Sequence, residues 1–143
     1  MRANFEVCNA RAQSRQDGDR SALYARIKLA ALVDAPCHLA AFAEPEPSQG
    51  HGLGRHTMPE TTAYSAVMAV HTLWLAARTV GLGLGWVSIL DPVEIAMTLD
   101  VPQRWTFIGY FCLGYPETED DTPELERRGW EVRHPDGSAP IRR

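Results

Sequence analysis

The residues best placed to do chemistry in this sequence lie in three glycine-bearing stretches. The first, Gly81 to Pro92 (G-L-G-L-G-W-V-S-I-L-D-P), sets Ser88 in a short strand just ahead of a helix start. A hydroxyl beside closely spaced glycines and an open helix N-terminus makes a bed for a planar ligand lying on the backbone of residues 87 to 89. The alternative is a buried strand serine bonded to backbone, and spacing alone does not separate the two. In the second stretch, Arg127-Arg128-Gly129-Trp130, a guanidinium can anchor a phosphate through charge-assisted bonds. Solvated surface charge is the competing reading there. The third stretch, Gly50-His-Gly-Leu-Gly-Arg55, lies in a polar loop.

Several chemistries are excluded by what surrounds these residues. Ser88 sits between Val87 and Ile89, so it is no G-x-S-x-G nucleophile elbow. Neither glycine run follows a strand, leads directly into a helix and keeps G-x-G-x-x-G spacing, and no Gly-Lys-Ser/Thr occurs, so dinucleotide and P-loop sites are excluded. The five histidines show no H-E-x-x-H or related ligand spacing, and no metal site is expected. His51 and His56 read as exposed loop residues without a specific role. Cys8, Cys37 and Cys112 are widely spaced and odd in number, which fits reduced thiols in a cytoplasmic protein.

These residues must be positioned by the elements around them. Ser21 to Val33 has apolar residues at helical spacing and is stopped by Asp34-Ala35-Pro36. His38 to Ala43 reads as a short strand packed on both faces, like a central strand. Glu44 to Arg55 is a loop long enough to cover a ligand. Thr57-Met-Pro-Glu60 predicts a capping box opening the next helix. From Ala63 to Val80 that helix is apolar on almost every face, so it is expected to be buried all round, at the centre of the fold or in a subunit interface. Gly81 is its expected C′ stop and Arg78 sits favourably in its last turn. Asp91-Pro-Val-Glu94 predicts a second capping box for a helix ending near Leu99. Trp105 to Leu113 reads as a buried strand, Glu117 to Asp121 as an acidic surface loop, and residues 134–143 as a flexible tail.

The totals set the frame. A chain of 143 residues, 45% hydrophobic and 22% charged, suits one soluble domain spanning residues 1–143. A net charge of -4 gives no nucleic-acid footprint, and the arginines at 2, 11, 15, 20 and 26 read as a solvated helical face. No long uncharged apolar run spans a membrane, and no apolar signal segment follows Met1. Two or three strands are too few to cover the long helix, so either the chain dimerises extensively or part of the fold lies elsewhere.

Four segments together carry a resemblance: L-G-R-H-T-M-P-E (Leu53 to Glu60), Y-S-A-V-M-A-V-H-T-L-W-L-A-A-R (Tyr64 to Arg78), G-L-G-L-G-W-V-S-I-L-D-P, and P-E-L-E-R-R-G-W (Pro123 to Trp130). Over about residues 20 to 133 the chain resembles the nitroreductase superfamily, and within it the BluB branch of 5,6-dimethylbenzimidazole synthases. The resemblance implies an α+β, nitroreductase-like fold with an antiparallel or mixed sheet around a long buried central helix. It implies a homodimeric flavoprotein with FMN at the dimer interface, to which the helix from Thr61 to Val80 contributes. The family's flavin-proximal serine falls on Ser88, the catalytic candidate, with the backbone of Val87 and Ile89 against the ring. Arg128 would contact the FMN phosphate, and Leu53, Gly54 and Arg55 would belong to the loop covering the flavin. Members open with an arginine-rich phosphate-gripping segment, followed in this branch by an aspartate. Residues 1 to 20 carry neither, so the chain is expected to be N-terminally truncated and to match the C-terminal two-thirds of the fold.

The activity so implied converts reduced FMN and O2 to 5,6-dimethylbenzimidazole, the lower ligand of cobalamin, with protein groups positioning O2. A second activity consistent with the family is NAD(P)H-dependent reduction in which FMN survives. A third reading is a non-catalytic remnant that dimerises without cofactor.

Overall fold

A computed structural model describes residues 1–27 and 30–133; the expected tail, residues 134–143, lies outside them. The elements run α1 (Arg2–Gln13), α2 (Gly18–Tyr24), α3 (Ala31–Asp34), β1 (Cys37–Ala43), a 3-10 turn (Gln49–Gly52), α4 (Thr61–Thr79), β2 (Gly83–Val87), α5 (Pro92–Thr98), β3 (Thr106–Gly114) and α6 (Glu124–Arg127). The three strands form one antiparallel sheet in the order β1-β3-β2. The architecture is the expected α+β one.

β3, with its aromatic and branched run, is the central strand. Side chains alternate across a strand, so Tyr110 and Cys112 face one layer and Phe111 the other, and all three are buried. On the first face they join Leu32, Val87, Leu90 and Ile95 in the core, with Met1, Phe5 and Phe42 packed against it. β1 was expected to be central but is an edge strand, with a bulge between Ala41 and Phe42. Nor is it packed on both faces: Cys37 and Leu39 on one face are exposed, and only Ala43 is buried.

α4 touches all three strands. It buries Val70 and Ala77, seven residues apart on one stripe, while Met68 is 70% exposed and Tyr64, Trp74 and Leu75 are also open to solvent. Within this chain, then, the helix is not buried all round.

Local signals were met unevenly. Gly81 stops α4 with φ of 76°, a left-handed conformation that suits glycine. α4 starts at Thr61 with Glu60 as N-cap and no side-chain cap, so the Thr57 capping box does not form. The Thr57 hydroxyl is spent in the preceding turn, donating to the Gly54 carbonyl at 3.3 Å, and Met58 precedes a proline that disfavours helix there. The helix expected over residues 21–33 is two short pieces, α2 and α3. No helix among the described residues is long and apolar enough to cross a membrane.

Candidate functional site

β2 carries the chain to Val87, which is 2% exposed and paired with Tyr110 on the central strand. Three residues later Leu90 is buried in the same core. Between these two anchors Ser88 is exposed and Ile89 half-buried, both beyond the end of the strand. Neither makes a backbone hydrogen bond to the described residues outside regular structure. Ser88 is therefore not the buried, backbone-bonded strand serine of the alternative reading. Among the described residues its hydroxyl has no hydrogen-bond partner.

The far end of this segment is fixed by a cap and a latch. Asp91 accepts from the backbone N–H of Val93 at 2.9 Å and of Glu94 at 3.2 Å, as an N-cap with Pro92 behind it should. The expected return arm of the capping box, Glu94 to the Asp91 N–H, does not form. Asn4, from α1, takes both partners: the Asp91 N–H donates to Asn4 Oδ1 at 2.9 Å, and Asn4 Nδ2 donates to Glu94 Oε2 at 2.8 Å. A buried carboxamide needs such partners to offset its desolvation.

Ser88 and Ile89 line a cavity of about 210 Å³ with Trp86, Asn9, Tyr24, Ile27 and Leu125. Trp86 lies across Gly109, where any Cβ would collide with the indole ring. Tyr24 donates its hydroxyl to Asn9 Oδ1 at 2.9 Å, and burial raises its pKa above the usual phenol value, so it stays protonated near neutrality. Outside the cavity Tyr24 meets Trp130 edge-on with centroids 5.9 Å apart. Arg20 lies over the Trp130 ring at 5.2 Å and pairs with Glu131 at 3.7 Å.

The other expected site residues do not join this cavity within one chain. Arg128 is paired with Glu124 at 3.2 Å on the surface, and Arg127 with Asp120 at 3.4 Å. Leu53 is 92% exposed. Gly54 has φ of 80°, and Arg55 donates to the Pro45 carbonyl at 3.4 Å. Sequence reasoning missed Asn4, Asn9 and Tyr24 as neighbours of this segment. Only Trp86, inside the glycine motif, carried a signal, because the others are far away along the chain.

Two further places are weaker candidates. A shallow depression of about 440 Å³ beside α5, lined by Ala96, Met97, Asp100, Val101, Pro102 and Gln103, is larger. Its one ionisable group, Asp100, has no chemical partner there, so size does not make it the site. Cys112 lies 3.6 Å from His38 Nδ1, and His38 Nε2 meets the Ala35 carbonyl at 2.9 Å. That resembles a nucleophile and base, but burial pushes the Cys112 thiol up, the opposite of what a reactive thiolate needs. No group of three or more potential metal ligands exists among the described residues.

What the cavity suits is the flat end of an aromatic ligand: apolar and ring-shaped walls with a few hydrogen-bonding groups. A volume of about 210 Å³ falls below the roughly 300–1,000 Å³ of a complete small-molecule site. One chain thus supplies a bed for a ring but not an enclosure for a nucleotide-sized molecule. Of the two expected ends of a flavin, a ring would meet Trp86, Ser88 and Ile89 here, while Arg128, the expected phosphate partner, is held by Glu124.

Comparison with known proteins converges on one family. The nitroreductase family profile matches residues 3–115. A 5,6-dimethylbenzimidazole synthase of Rhodospirillum rubrum is 54% identical over 132 residues, covering 92% of this chain and 63% of that protein. One from Rhodobacter capsulatus is 47% identical over 133 residues, covering 93% of this chain and 64% of its own length. The chain therefore spans a little under two thirds of these curated relatives. Among solved structures, a nitroreductase family protein of Streptococcus pneumoniae superposes with a TM-score of 0.52 at 14% identity, over 89% of this chain and 74% of that one. A Bacteroides fragilis nitroreductase solved with bound FMN gives 0.51 at 16% identity, over 98% and 71% respectively. These two structures support the fold.

Proposed function

The chain belongs to the nitroreductase family, and from that premise we propose that it serves a flavin-dependent oxidoreductase of the 5,6-dimethylbenzimidazole synthase type. The reaction would take reduced FMN and O2 to 5,6-dimethylbenzimidazole. The observation that carries this reading is the identity shared with synthase relatives over nearly the whole chain. The geometry at Ser88 supports it: a hydroxyl without a partner among the described residues, held between buried Val87 and Leu90, in a cavity with aromatic walls.

FMN, when bound, supplies the redox chemistry. The protein groups do the rest. Val87, Ser88 and Ile89 present a rigid edge against which a ring is seated, and rigidity matters because small displacements of reacting groups cost rate. The Ser88 hydroxyl orients a reacting group or holds a proton beside it. Trp86, Ile27 and Leu125 would supply apolar contact to the ring. Arg128 exchanges its exposed partner Glu124 for a phosphate, a switch that is inexpensive because exposed ion pairs contribute only about 0–1 kcal/mol.

The protein acts as a homodimer in this reading. The exposed apolar residues of α4, Tyr64, Met68, Trp74 and Leu75, supply the face that a second copy would cover. The loop carrying Leu53, Gly54 and Arg55 would then close over the ring from a second copy.

The test is to incubate the protein with reduced FMN in air and search for 5,6-dimethylbenzimidazole by mass spectrometry. Its formation, lost in Ser88→Ala, is the expected result. FMN recovered intact would overturn the synthase reading; NAD(P)H oxidation alongside it would favour a conventional nitroreductase activity instead.

A further inference from the structure

Two polar residues of the Ser88 cavity have no role in the reading above. Asn9, toward the end of α1, and Tyr24, the last residue of α2, are joined by the hydroxyl that Tyr24 donates to Asn9 Oδ1. That bond occupies the carbonyl end of the amide. The two N–H donors of Asn9 have no partner among the described residues. The Trp130 ring, itself covered by Arg20, braces Tyr24 from outside the cavity. Its hydroxyl therefore holds one orientation of the Asn9 amide.

The other walls near this pair are apolar: Ile27, Trp86 and Leu125. The half-buried amide donors can pair with a ligand acceptor without giving up a bond to any described residue. The partner must be an acceptor, because the only free positions on the amide are donors. Ser88, on the same cavity, can donate as well.

We propose that Asn9 is a specificity-determining residue whose amide N–H groups take the carbonyl-bearing edge of a planar heteroaromatic ligand seated at Ser88 and Ile89. Tyr24 is the positioning residue that turns the amide toward that edge. The inference rests on the flavin reading and deepens it, by naming which edge of the ring this chain recognises and with which atoms.

The test compares two flat tricyclic probes. Lumiflavin carries the carbonyl edge without a ribityl phosphate, and phenazine has the shape without carbonyls. Binding is followed by fluorescence quenching and calorimetry, and the lumiflavin absorption band reports its surroundings. The wild-type protein is expected to bind lumiflavin more tightly than phenazine. Asn9→Asp keeps the size and the Tyr24 bond but removes the N–H donors. It should weaken lumiflavin at least tenfold, return its band toward that in water and leave phenazine unchanged. Tyr24→Phe should give a smaller loss in the same direction at an unchanged melting temperature. If Asn9→Asp unfolds, Asn9→Leu, similar in volume, makes the same comparison. Equal weakening of both probes, or of neither, overturns the role of Asn9 while leaving the flavin reading standing. A wild-type protein that binds neither FMN nor lumiflavin removes the flavin reading and the role of Asn9 with it.

Discussion

Gly50–Arg55 and Gly81–Gly85 look alike as sequence, yet the fold uses them in opposite ways. The first is an exposed turn, with Gly50, His51, Gly52 and Gly54 all at positive φ and Leu53 almost fully open. The second ends a long helix at Gly81 and then runs as an edge strand into two buried anchors, Val87 and Leu90. Glycine spacing is common to both and decides neither. What differs is the apolar sequence that follows, W-V-S-I-L in one case and H-T-M-P-E in the other. The second segment becomes a rigid bed because its neighbours are pinned in the core. The first keeps its ends free and can only act against something brought to it.

That contrast is broken or sharpened by mutation. The largest effect should come from Ile95, 1% exposed and packed with Val87 and Leu90. Ile95→Ala is expected to cost about 2–5 kcal/mol, read by urea unfolding, and to loosen the Ser88 segment with it. Next is the latch: Asn4→Ala leaves the Asp91 N–H and one Glu94 oxygen without their partner and should cost about 1–3 kcal/mol. A loss under half a kilocalorie there would show that α1 does not hold the segment.

A further effect concerns pH. Burial raises the Cys112 thiol above its ordinary value of 9.0, so the fold favours the protonated form. Stability from this group is complete below pH 9.0, where the unfolded thiol is also protonated. It is lost as pH rises from there through the raised folded value. Chemical unfolding at a series of alkaline pH values should show that decline, and Cys112→Ala should flatten it. The smallest effect is expected in the exposed turn: Leu53→Ser should change stability by no more than about 0.5 kcal/mol. A larger loss in the isolated chain would mean the turn is packed after all, and the contrast would fail.

The sequence made some of this legible for physical reasons that are local. Gly81 as helix stop and Asp91 as N-cap depend on residues within a few positions, and both form. That β3 is a buried strand followed from its aromatic and branched run; that it is the central one did not. The apolar run of β1 was misleading, because apolar residues on both faces guarantee neither burial, with Leu39 exposed and only Ala43 buried, nor a pairing neighbour on each side. The α4 helix was read from composition as buried at the centre of the fold or in a subunit interface; the single chain covers only one stripe, which rules against the first. Asn4 against Glu94 and Asn9 beside Ser88 were illegible for a different reason. Each contact joins residues some 80 to 90 positions apart, the first separated by 90, and nothing in the local sequence marks them.

The central claim is that Val87 to Ile89 form the bed of a flavin ring. A crystal structure of the protein with FMN tests it most directly. The expected result is the ring against Val87, Ser88 and Ile89, with the Ser88 hydroxyl within hydrogen-bonding distance. Flavin in the depression lined by Met97, Asp100 and Pro102, or anywhere else away from Ser88, would contradict it.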